Sequence, residues 1–236
     1  MATRQIFFFL FLAFYRVICL AEVPEARCKI SEKIMDYSTL GDCYDQGVYY
    51  SKDKEKAKIN YLYGAMQSTR QGEYGKLQAA RTLLFKSKSE IENAMGLYIL
   101  KGFSDSSDAA IVEKPAYEGD YTYRGAARYY LAIYFALQDD YKRASTYLDL
   151  AIQDNYFWAY YASLYVRGEM KAQEVENLFA QAEQVRKKYF PWYPSGYSCW
   201  LQWQRDYRKT DELTFPVNAK KVDSLLEQYG ACENAE

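Results

Sequence analysis

Cysteine, aspartate, glutamate and tyrosine are the side chains that could do chemistry in this chain, because histidine is absent from its 236 residues. Without histidine there is no usual general base, no usual zinc ligand and no usual partner for a serine or cysteine nucleophile. The sequence also lacks a glycine-rich dinucleotide fingerprint and a phosphate-binding loop. We therefore expect a protein that is not an enzyme and that carries no metal and no cofactor.

Four cysteines remain once the N-terminal segment described below is removed: Cys28, Cys43, Cys199 and Cys232. An even number in an exported chain indicates two disulfides, and four cysteines allow three pairings. We favour Cys28–Cys43 and Cys199–Cys232, because each pair encloses one end of the chain and leaves the middle free of cysteine. Zinc binding is the competing interpretation, but the cysteines lack a Cys-x-x-Cys spacing.

Two acidic groups, Asp105 with Asp108 and Asp139 with Asp140, could be calcium ligands or a paired acid and base. A calcium loop needs alternating oxygen ligands that end in a glutamate, and residues 103–111 lack that pattern. Helix capping and a favourable helix dipole explain both groups better.

Tyrosine, with 26 copies, supplies the candidate binding surface. Two predicted helices carry tyrosines on more than one face, so their own hairpins cannot bury all of them. An exposed tyrosine offers apolar area and a hydroxyl at low entropic cost, which suits peptide or glycan recognition. Packing between neighbouring helices is the competing interpretation, and for any single tyrosine it is favoured. The candidate binding residues are Tyr130, Tyr134, Tyr160, Tyr161 and Tyr165.

These tyrosines must be positioned by two helical hairpins that repeat each other between residues 123 and 189. The positions that match after a shift of 31 residues are Tyr130 with Tyr161, Ile133-Tyr134 with Leu164-Tyr165, Leu148 with Phe179, and Ala151 with Ala182. Each hairpin alone would expose an apolar face, so the copies must stack. The predicted fold class is all-α, a short right-handed α-solenoid of stacked helical hairpins with disulfide-tied ends.

A second region, from Tyr37 to Met66, has a repeat-like pattern of its own. Its landmarks are Leu40-Gly41-x-x-Tyr44-x-x-Gly47, then Asp53-x-x-Lys56-Ala57, then Tyr61 and Gly64-Ala65. This pattern resembles the Sel-one-like subclass of tetratricopeptide repeats, in which glycine and alanine let two helices approach closely. The resemblance implies paired helices and a scaffold or adaptor that binds another protein, and it does not identify the partner.

The first 21 residues have the layout of a secretory signal peptide, with Arg4 before an apolar run and small residues before the expected cleavage after Ala21. Arg16 interrupts the run, which is too short to span a bilayer that needs roughly 20 apolar residues. A retained membrane anchor is the alternative. We expect a periplasmic or secreted protein with no stable membrane insertion after cleavage.

Cleavage removes Arg4 and Arg16 and changes the net charge from −1 to −3. The remaining basic residues are scattered, so we expect no nucleic-acid partner. The predicted parts after residue 21 are an N-terminal segment at 22–36, helical repeats over 37–189 with an irregular loop near 103–123, and an aromatic cap over 190–236 with a final helix at Val217–Tyr229.

The sequence thus predicts an exported protein–protein interaction module, an adaptor or immunity-type binder, with a Tyr-rich concave helical surface. The alternative is a cell-envelope protein that binds peptidoglycan or another glycan, or hydrolyses it with carboxylates. Gly64-Ala65-Met66-Gln67 resembles a short piece of the lytic transglycosylase signature, but the Glu-Ser pair that this family carries about twenty residues earlier is missing. Two carboxyls about 5–9.5 Å apart in one pocket would favour the hydrolase.

Overall fold

The computed structural model describes residues 25–67, 70–106, 123–167, 171–189, 196–207, 214–230 and 232. All regular secondary structure in these ranges is α-helical, as the predicted fold class requires. The helices are α1 (Glu25–Ile34), α2 (Tyr37–Gln46), α3 (Lys54–Ala65), α4 (Arg70–Lys86), α5 (Glu90–Asp105), α6 (Tyr123–Ala136), α7 (Tyr141–Gln153), α8 (Phe157–Arg167), α9 (Ala172–Tyr189), α10 (Tyr197–Tyr207) and α11 (Ala219–Tyr229).

The chain forms two compact units, residues 1–79 and 80–236, and the boundary between them lies within α4. Inside each unit, helices that follow one another in sequence pack against each other. In the first unit α2 packs against α1 and α3. In the second unit α6 packs against α5 and α7, α8 packs against α7 and α9, and α10 packs against α11.

In the first unit, aspartates begin two helices and a glycine ends one of them. Asp36 caps α2 by accepting a hydrogen bond from the Thr39 N–H at 3.1 Å, and Asp53 caps α3 by accepting one from the Lys56 N–H at 3.0 Å. Gly47 follows α2 with a φ of 76°, a left-handed conformation that glycine adopts without steric penalty. The Asp and Gly positions of the repeat-like pattern are therefore the caps of a helix pair.

The helices α2 and α3 approach each other closely at Gly64. A Cβ atom there would lie 2.3 Å from Ser38 Oγ and 3.0 Å from Ser38 N, so the contact requires glycine. Beside this contact, buried Tyr61 donates a hydrogen bond to Asp42 Oδ1 at 2.8 Å. The first disulfide, Cys28–Cys43, is fully buried and joins α1 to α2, with its Cα atoms 6.0 Å apart.

The two predicted hairpins of the second unit are α6 with α7 and α8 with α9. The first helices of the pairs end at Ala136 and Arg167, and the second helices begin at Tyr141 and Ala172. These inner boundaries repeat at 31 residues, the offset found in the sequence. The outer boundaries do not, because Tyr123 and Phe157 are 34 residues apart and Gln153 and Tyr189 are 36 residues apart. Small buried side chains allow these helices to pack closely. The buried alanines are Ala126, Ala127, Ala132, Ala136, Ala144, Ala151, Ala159, Ala162 and Ala182.

Aromatic rings fill the core of the second unit around α8 and α10. Tyr161, Trp200 and Phe215 are each at most 1% exposed. The ring centroid of Trp200 lies 6.4 Å from that of Tyr161 and 6.2 Å from that of Phe215. Cys199 and Cys232, whose Cα atoms are 4.5 Å apart, join α10 to the chain that follows α11. Both favoured disulfide pairings are therefore confirmed.

Three boundaries differ from the prediction. The N-terminal segment contains α1, where the prediction has no helix. The helix α5 continues to Asp105, past the predicted start of the irregular loop, because Ser104 is still buried against the core. The final helix begins at Ala219, with Asn218 as its N-cap, rather than at Val217.

Residues 1–21, the predicted signal peptide, and most of the predicted loop near 103–123 lie outside the described ranges. Along the part of the chain that the structure describes, no helix combines the length and the apolar character needed to cross a membrane.

Candidate functional site

Three of the five tyrosines predicted to bind a partner, Tyr160, Tyr161 and Tyr165, are at most 5% exposed. The Tyr165 hydroxyl accepts a hydrogen bond from the Asn218 N–H at 2.6 Å, and the Tyr161 hydroxyl donates one to Glu183 Oε1 at 3.4 Å. Burial raises the pKa of Tyr160 and of Tyr161. The predicted exposure of these three rings is wrong, because α8 packs against α7, α9 and α10 at once.

The other two candidates, Tyr130 and Tyr134, lie on α6 and are half-buried. The Tyr130 ring packs edge-on against Phe85, with centroids 6.5 Å apart. The Tyr134 ring lies 5.2 Å from that of Phe135. Each residue keeps part of its surface accessible, so a role in binding stays a prediction for these two.

Helix capping accounts for one of the two acidic groups, that of Asp139 and Asp140. Asp140 is the N-cap of α7 and accepts a hydrogen bond from the Arg143 N–H at 3.0 Å, and this bond lowers the pKa of its carboxyl. Asp139 is exposed in the preceding turn. Asp105 is the exposed last residue of α5 and caps none of the helices that the structure describes, and Asp108 lies outside the described residues. The capping interpretation is confirmed for Asp140 and stays a prediction for the group of Asp105 and Asp108.

A buried charge cluster that the sequence analysis missed surrounds Asp154. The Asp154 side chain is 2% exposed and contacts Arg124 Nη2 at 2.6 Å and Arg128 Nη1 at 2.7 Å. The same arginines donate to backbone carbonyls at the end of α5, Arg124 to Ser106 at 3.1 Å and Arg128 to Ser104 at 2.9 Å. The hydrogen bonds to Asp154 raise the pKa of Arg124. The cluster thus joins the ends of α5 and α7 to the start of α6.

One signal of this cluster was present in the sequence. Arg124 and Arg128 are four residues apart, so they share one face of a helix, and that helix is otherwise rich in alanine and tyrosine. Their carboxylate partner follows the next helix, and spacing alone could not select it. Because Asp154 is enclosed and engaged by both arginines, the cluster has the character of a structural ion pair.

The first unit exposes an apolar surface around α3. We call it the α3 patch, and its residues are Met35, Tyr37, Ile59, Tyr63 and Met66. Ile59, Tyr63 and Met66 recur at helical spacing and are 47%, 53% and 78% exposed. Tyr37 at the start of α2 adds its ring, with its centroid 5.4 Å from that of Tyr63. The backbone oxygen of Met35 accepts a hydrogen bond from Gln67 Nε2 at 2.9 Å. Three segments of the chain therefore build this one surface.

Met35 has a backbone conformation that large side chains seldom adopt. Its φ is 57°, in the left-handed region that costs a non-glycine residue about 1–2 kcal/mol. Met35 follows the last residue of α1, and the N–H of Asp36 donates a hydrogen bond to Ser31 O at 3.0 Å, which closes the C-terminus of α1. The Met35 side chain is 59% exposed. The same conformation and the same type of hydrogen bond occur at Asp139 after α6 and at Asn155 after α7, so it is a recurrent way of ending a helix in this chain.

The second unit exposes an apolar line along α5. We call it the α5 stripe, and its residues are Ile91, Ala94, Met95, Tyr98 and Gly102. The three large side chains, Ile91, Met95 and Tyr98, are 74%, 50% and 80% exposed. Intervals of three and four residues place all five positions on one side of the helix.

No protein-family profile, curated protein or solved structure matches this chain. The interpretation of the α3 patch and the α5 stripe therefore depends on the exposure and spacing of their residues. Among the described residues there is no group of three or more histidine, cysteine, aspartate or glutamate side chains that could hold a metal ion. The described surface offers apolar and aromatic contact on two helices, and exposed apolar patches of this kind mark interaction sites.

Proposed function

We propose that this chain is an exported module that binds another protein, as an adaptor or an immunity-type binder. The observation that carries the proposal is the α3 patch, where Ile59, Tyr63 and Met66 are 47%, 53% and 78% exposed. Aromatic residues and methionine are enriched in protein–protein interfaces. The α3 patch replaces the buried tyrosines of α8 as the contact surface, and Tyr130 and Tyr134 remain candidates for a second contact.

The architecture in this proposal is that of Sel-one-like repeats, with the hairpins of the second unit stacked as a short right-handed α-solenoid. Support comes from the packing of successive helices, from the 31-residue offset between the inner helix ends of the two hairpins and from the close contact at Gly64. Stacked helices hold their side chains rigidly, so a partner can dock without first ordering the receptor.

The proposed compartment is oxidising, either periplasmic or secreted. The signal-peptide layout of residues 1–21 supports export. Two disulfides support the same compartment, because such bonds form and persist where thiols are not kept reduced.

Glycan binding or hydrolysis is the competing function. Among the described carboxylates, Asp140 serves as a helix cap and Asp154 is enclosed by two arginines. Neither has the open pairing of carboxyls that a glycan hydrolase needs. We therefore favour protein binding as the function. Glycan binding is one possible outcome of the pull-down experiment described next.

The test is a pull-down from cell-envelope or culture-fluid extract with the mature, oxidised chain as bait. The test variant is Tyr63→Ser/Met66→Ser, and the matched control is Leu137→Ser/Tyr141→Ser, which changes two exposed apolar residues of the second unit. We expect one stoichiometric protein to survive a high-salt wash with the wild type and the control. Its affinity for the test variant should fall by about 30-fold or more, because two central anchors are lost.

Two results would contradict the proposal. One is equal retention of the partner by the test variant, measured on protein whose circular dichroism and melting temperature match the wild type. The other is the absence of any protein partner together with binding to purified peptidoglycan, which would move the assignment to the glycan-binding class.

A further inference from the structure

The α5 stripe is an apolar surface that the proposed partner contact at α3 does not use. Its large residues stand beside Gly102, where a Cβ atom would meet nothing within 4 Å. Because glycine has no side chain, a helix from another molecule can approach the backbone closely at this position. The stripe from Ile91 to Gly102 is about 16 Å long, which is enough to accommodate one helix.

The stripe is complementary to itself when two copies of α5 run antiparallel. If the two-fold axis passes midway between Gly96 and Leu97, Ile91 of one copy lies over Gly102 of the other. The same axis places Met95 against Tyr98. A large side chain thus meets a glycine at both ends, and two large side chains meet at the centre.

The charges that flank the stripe match under the same axis. Exposed Lys88, just before the helix, lies opposite exposed Asp105 at its end. Exposed Lys101 lies opposite Glu92 in the first turn of the other copy. Antiparallel packing also places the positive end of one helix dipole beside the negative end of the other. Two opposite-charge matches therefore agree with the register that the apolar residues set.

We propose that α5 pairs with α5 of a second copy of this chain and forms a weak, two-fold symmetric dimer. An unrelated amphipathic helix would fit the apolar residues, but the order of the charges along α5 complements α5 itself. A two-fold interface uses the same patch on both subunits, as this one does. The contact is a single pair of helices over a stripe of about 16 Å, so we expect a weak interface with a dissociation constant in the micromolar range.

The test is sedimentation equilibrium of the mature, oxidised chain between about 1 and 200 µM at low ionic strength. We expect a monomer–dimer equilibrium in the wild type. Lys88→Glu and Asp105→Lys should each weaken the dimer about tenfold, because each change creates two like-charge contacts. The double variant Lys88→Glu/Asp105→Lys should regain the wild-type dissociation constant.

Charge reversal is a suitable test because it should not unfold the helix. An acidic residue near the start of α5 and a basic residue at its end both interact favourably with the helix dipole. Melting temperatures of the monomeric variants check this point. A third variant, Tyr98→Ser, changes a side chain that is 80% exposed and should leave the chain monomeric.

Three outcomes would overturn the dimer. They are a wild type that remains monomeric up to the highest concentration, a double charge reversal that fails to restore association, and a dimer that persists in Tyr98→Ser but is lost in Tyr63→Ser. The last outcome would place self-association on the α3 patch. The first two outcomes do not concern the α3 patch, so the two proposals can fail separately. Under the third, the protein captured in the pull-down distinguishes a second copy of this chain from another protein.

Discussion

The Asp154 side chain, which follows α7, pairs with two arginines of α6 that also bind backbone carbonyls at the end of α5. Its carboxylate is almost inaccessible. Removal of the carboxylate charge would leave two guanidinium groups partly buried without a counter-ion, and an uncompensated buried charge is far more costly than a broken surface pair.

We expect Asp154→Asn to lower the free energy of unfolding by about 3 kcal/mol. The matched control is Asp149→Asn on α7, the helix that Asp154 follows. Asp149 pairs with Arg167 at the surface, so this substitution should lower the free energy of unfolding by less than about 1 kcal/mol. Urea denaturation followed by circular dichroism measures both values. Similar small losses for the two variants would show that the buried cluster is not a major source of stability.

At the residue scale, the sequence predicted side chains whose role depends on local spacing and missed those whose role depends on neighbours. The cap role of Asp140 follows from its place directly before a helix. Burial of Tyr160, Tyr161 and Tyr165 depends on how many helices cover α8, and a helical period shows only that several faces are aromatic. The pairing of Arg124 with Asp154 could not be predicted for the same reason, because it depends on which helices lie next to each other.

Helices and their order were the most predictable elements of this chain. The hairpins of the second unit follow from the 31-residue offset, and the helix pair of the first unit follows from its Asp and Gly caps. Such signals depend on residues close together in the sequence, so they can be recognised without knowledge of the tertiary structure. The end of α5 was missed because polar Ser104 and Asp105 resemble a loop in sequence, although Ser104 is buried.

Two glycines of α5 differ in their surroundings, because Gly96 faces the backbone of α4 and Gly102 faces open space. Alanine substitutions at the two positions therefore test the contact between α4 and α5. A Cβ atom at Gly96 would lie 2.7 Å from both Ala80 O and Leu84 N, whereas one at Gly102 would meet nothing within 4 Å. Gly96→Ala should therefore cost about 2 kcal/mol, because backbone must move. Gly102→Ala should stabilise the monomer by about 0.5–1 kcal/mol.

Denaturation at a protein concentration below that of dimer formation measures both glycine variants on the monomer. A Gly96→Ala protein as stable as Gly102→Ala would show that α4 and α5 can separate without cost.

For the whole molecule, the absence of histidine and the burial of tyrosines set how stability depends on pH. Burial raises the pKa of Tyr129, Tyr161 and Tyr197 above the ordinary value of 10.0. Burial together with a hydrogen bond to Glu32 raises the pKa of Tyr50 to about 12. With no histidine, no side chain of ordinary pKa titrates near neutral pH.

The sign of the effect follows from these shifts. The unfolded chain loses tyrosine protons near pH 10, while the folded chain keeps them to higher pH, so ionisation favours the unfolded state. Stability should be nearly constant from about pH 6 to 9 and should fall as the pH rises from 10 toward the raised folded values. Burial lowers the pKa of Lys221, so this group makes the folded state more stable as the pH rises. It is one group against several tyrosines, so the net stability should still fall.

Urea midpoints between about pH 6 and 12, with tyrosinate absorbance recorded in parallel, measure this dependence. The Tyr161→Phe variant, which removes one raised pKa, should show a smaller loss above pH 10 than the wild type. A steep change in stability between pH 6 and 8 would contradict the expectation.

The order of the disulfides has a consequence for biosynthesis. Each cysteine pairs with the next one along the described chain, at separations of 15 and 33 residues. If the chain crosses a membrane from its N-terminus, Cys28 and Cys43 reach a thiol oxidase long before Cys199 does. Oxidation in order of arrival then yields the native bonds, whereas nested or crossed pairs would need reshuffling. Production of this protein in an oxidising host should therefore depend on an oxidase and not on a disulfide isomerase.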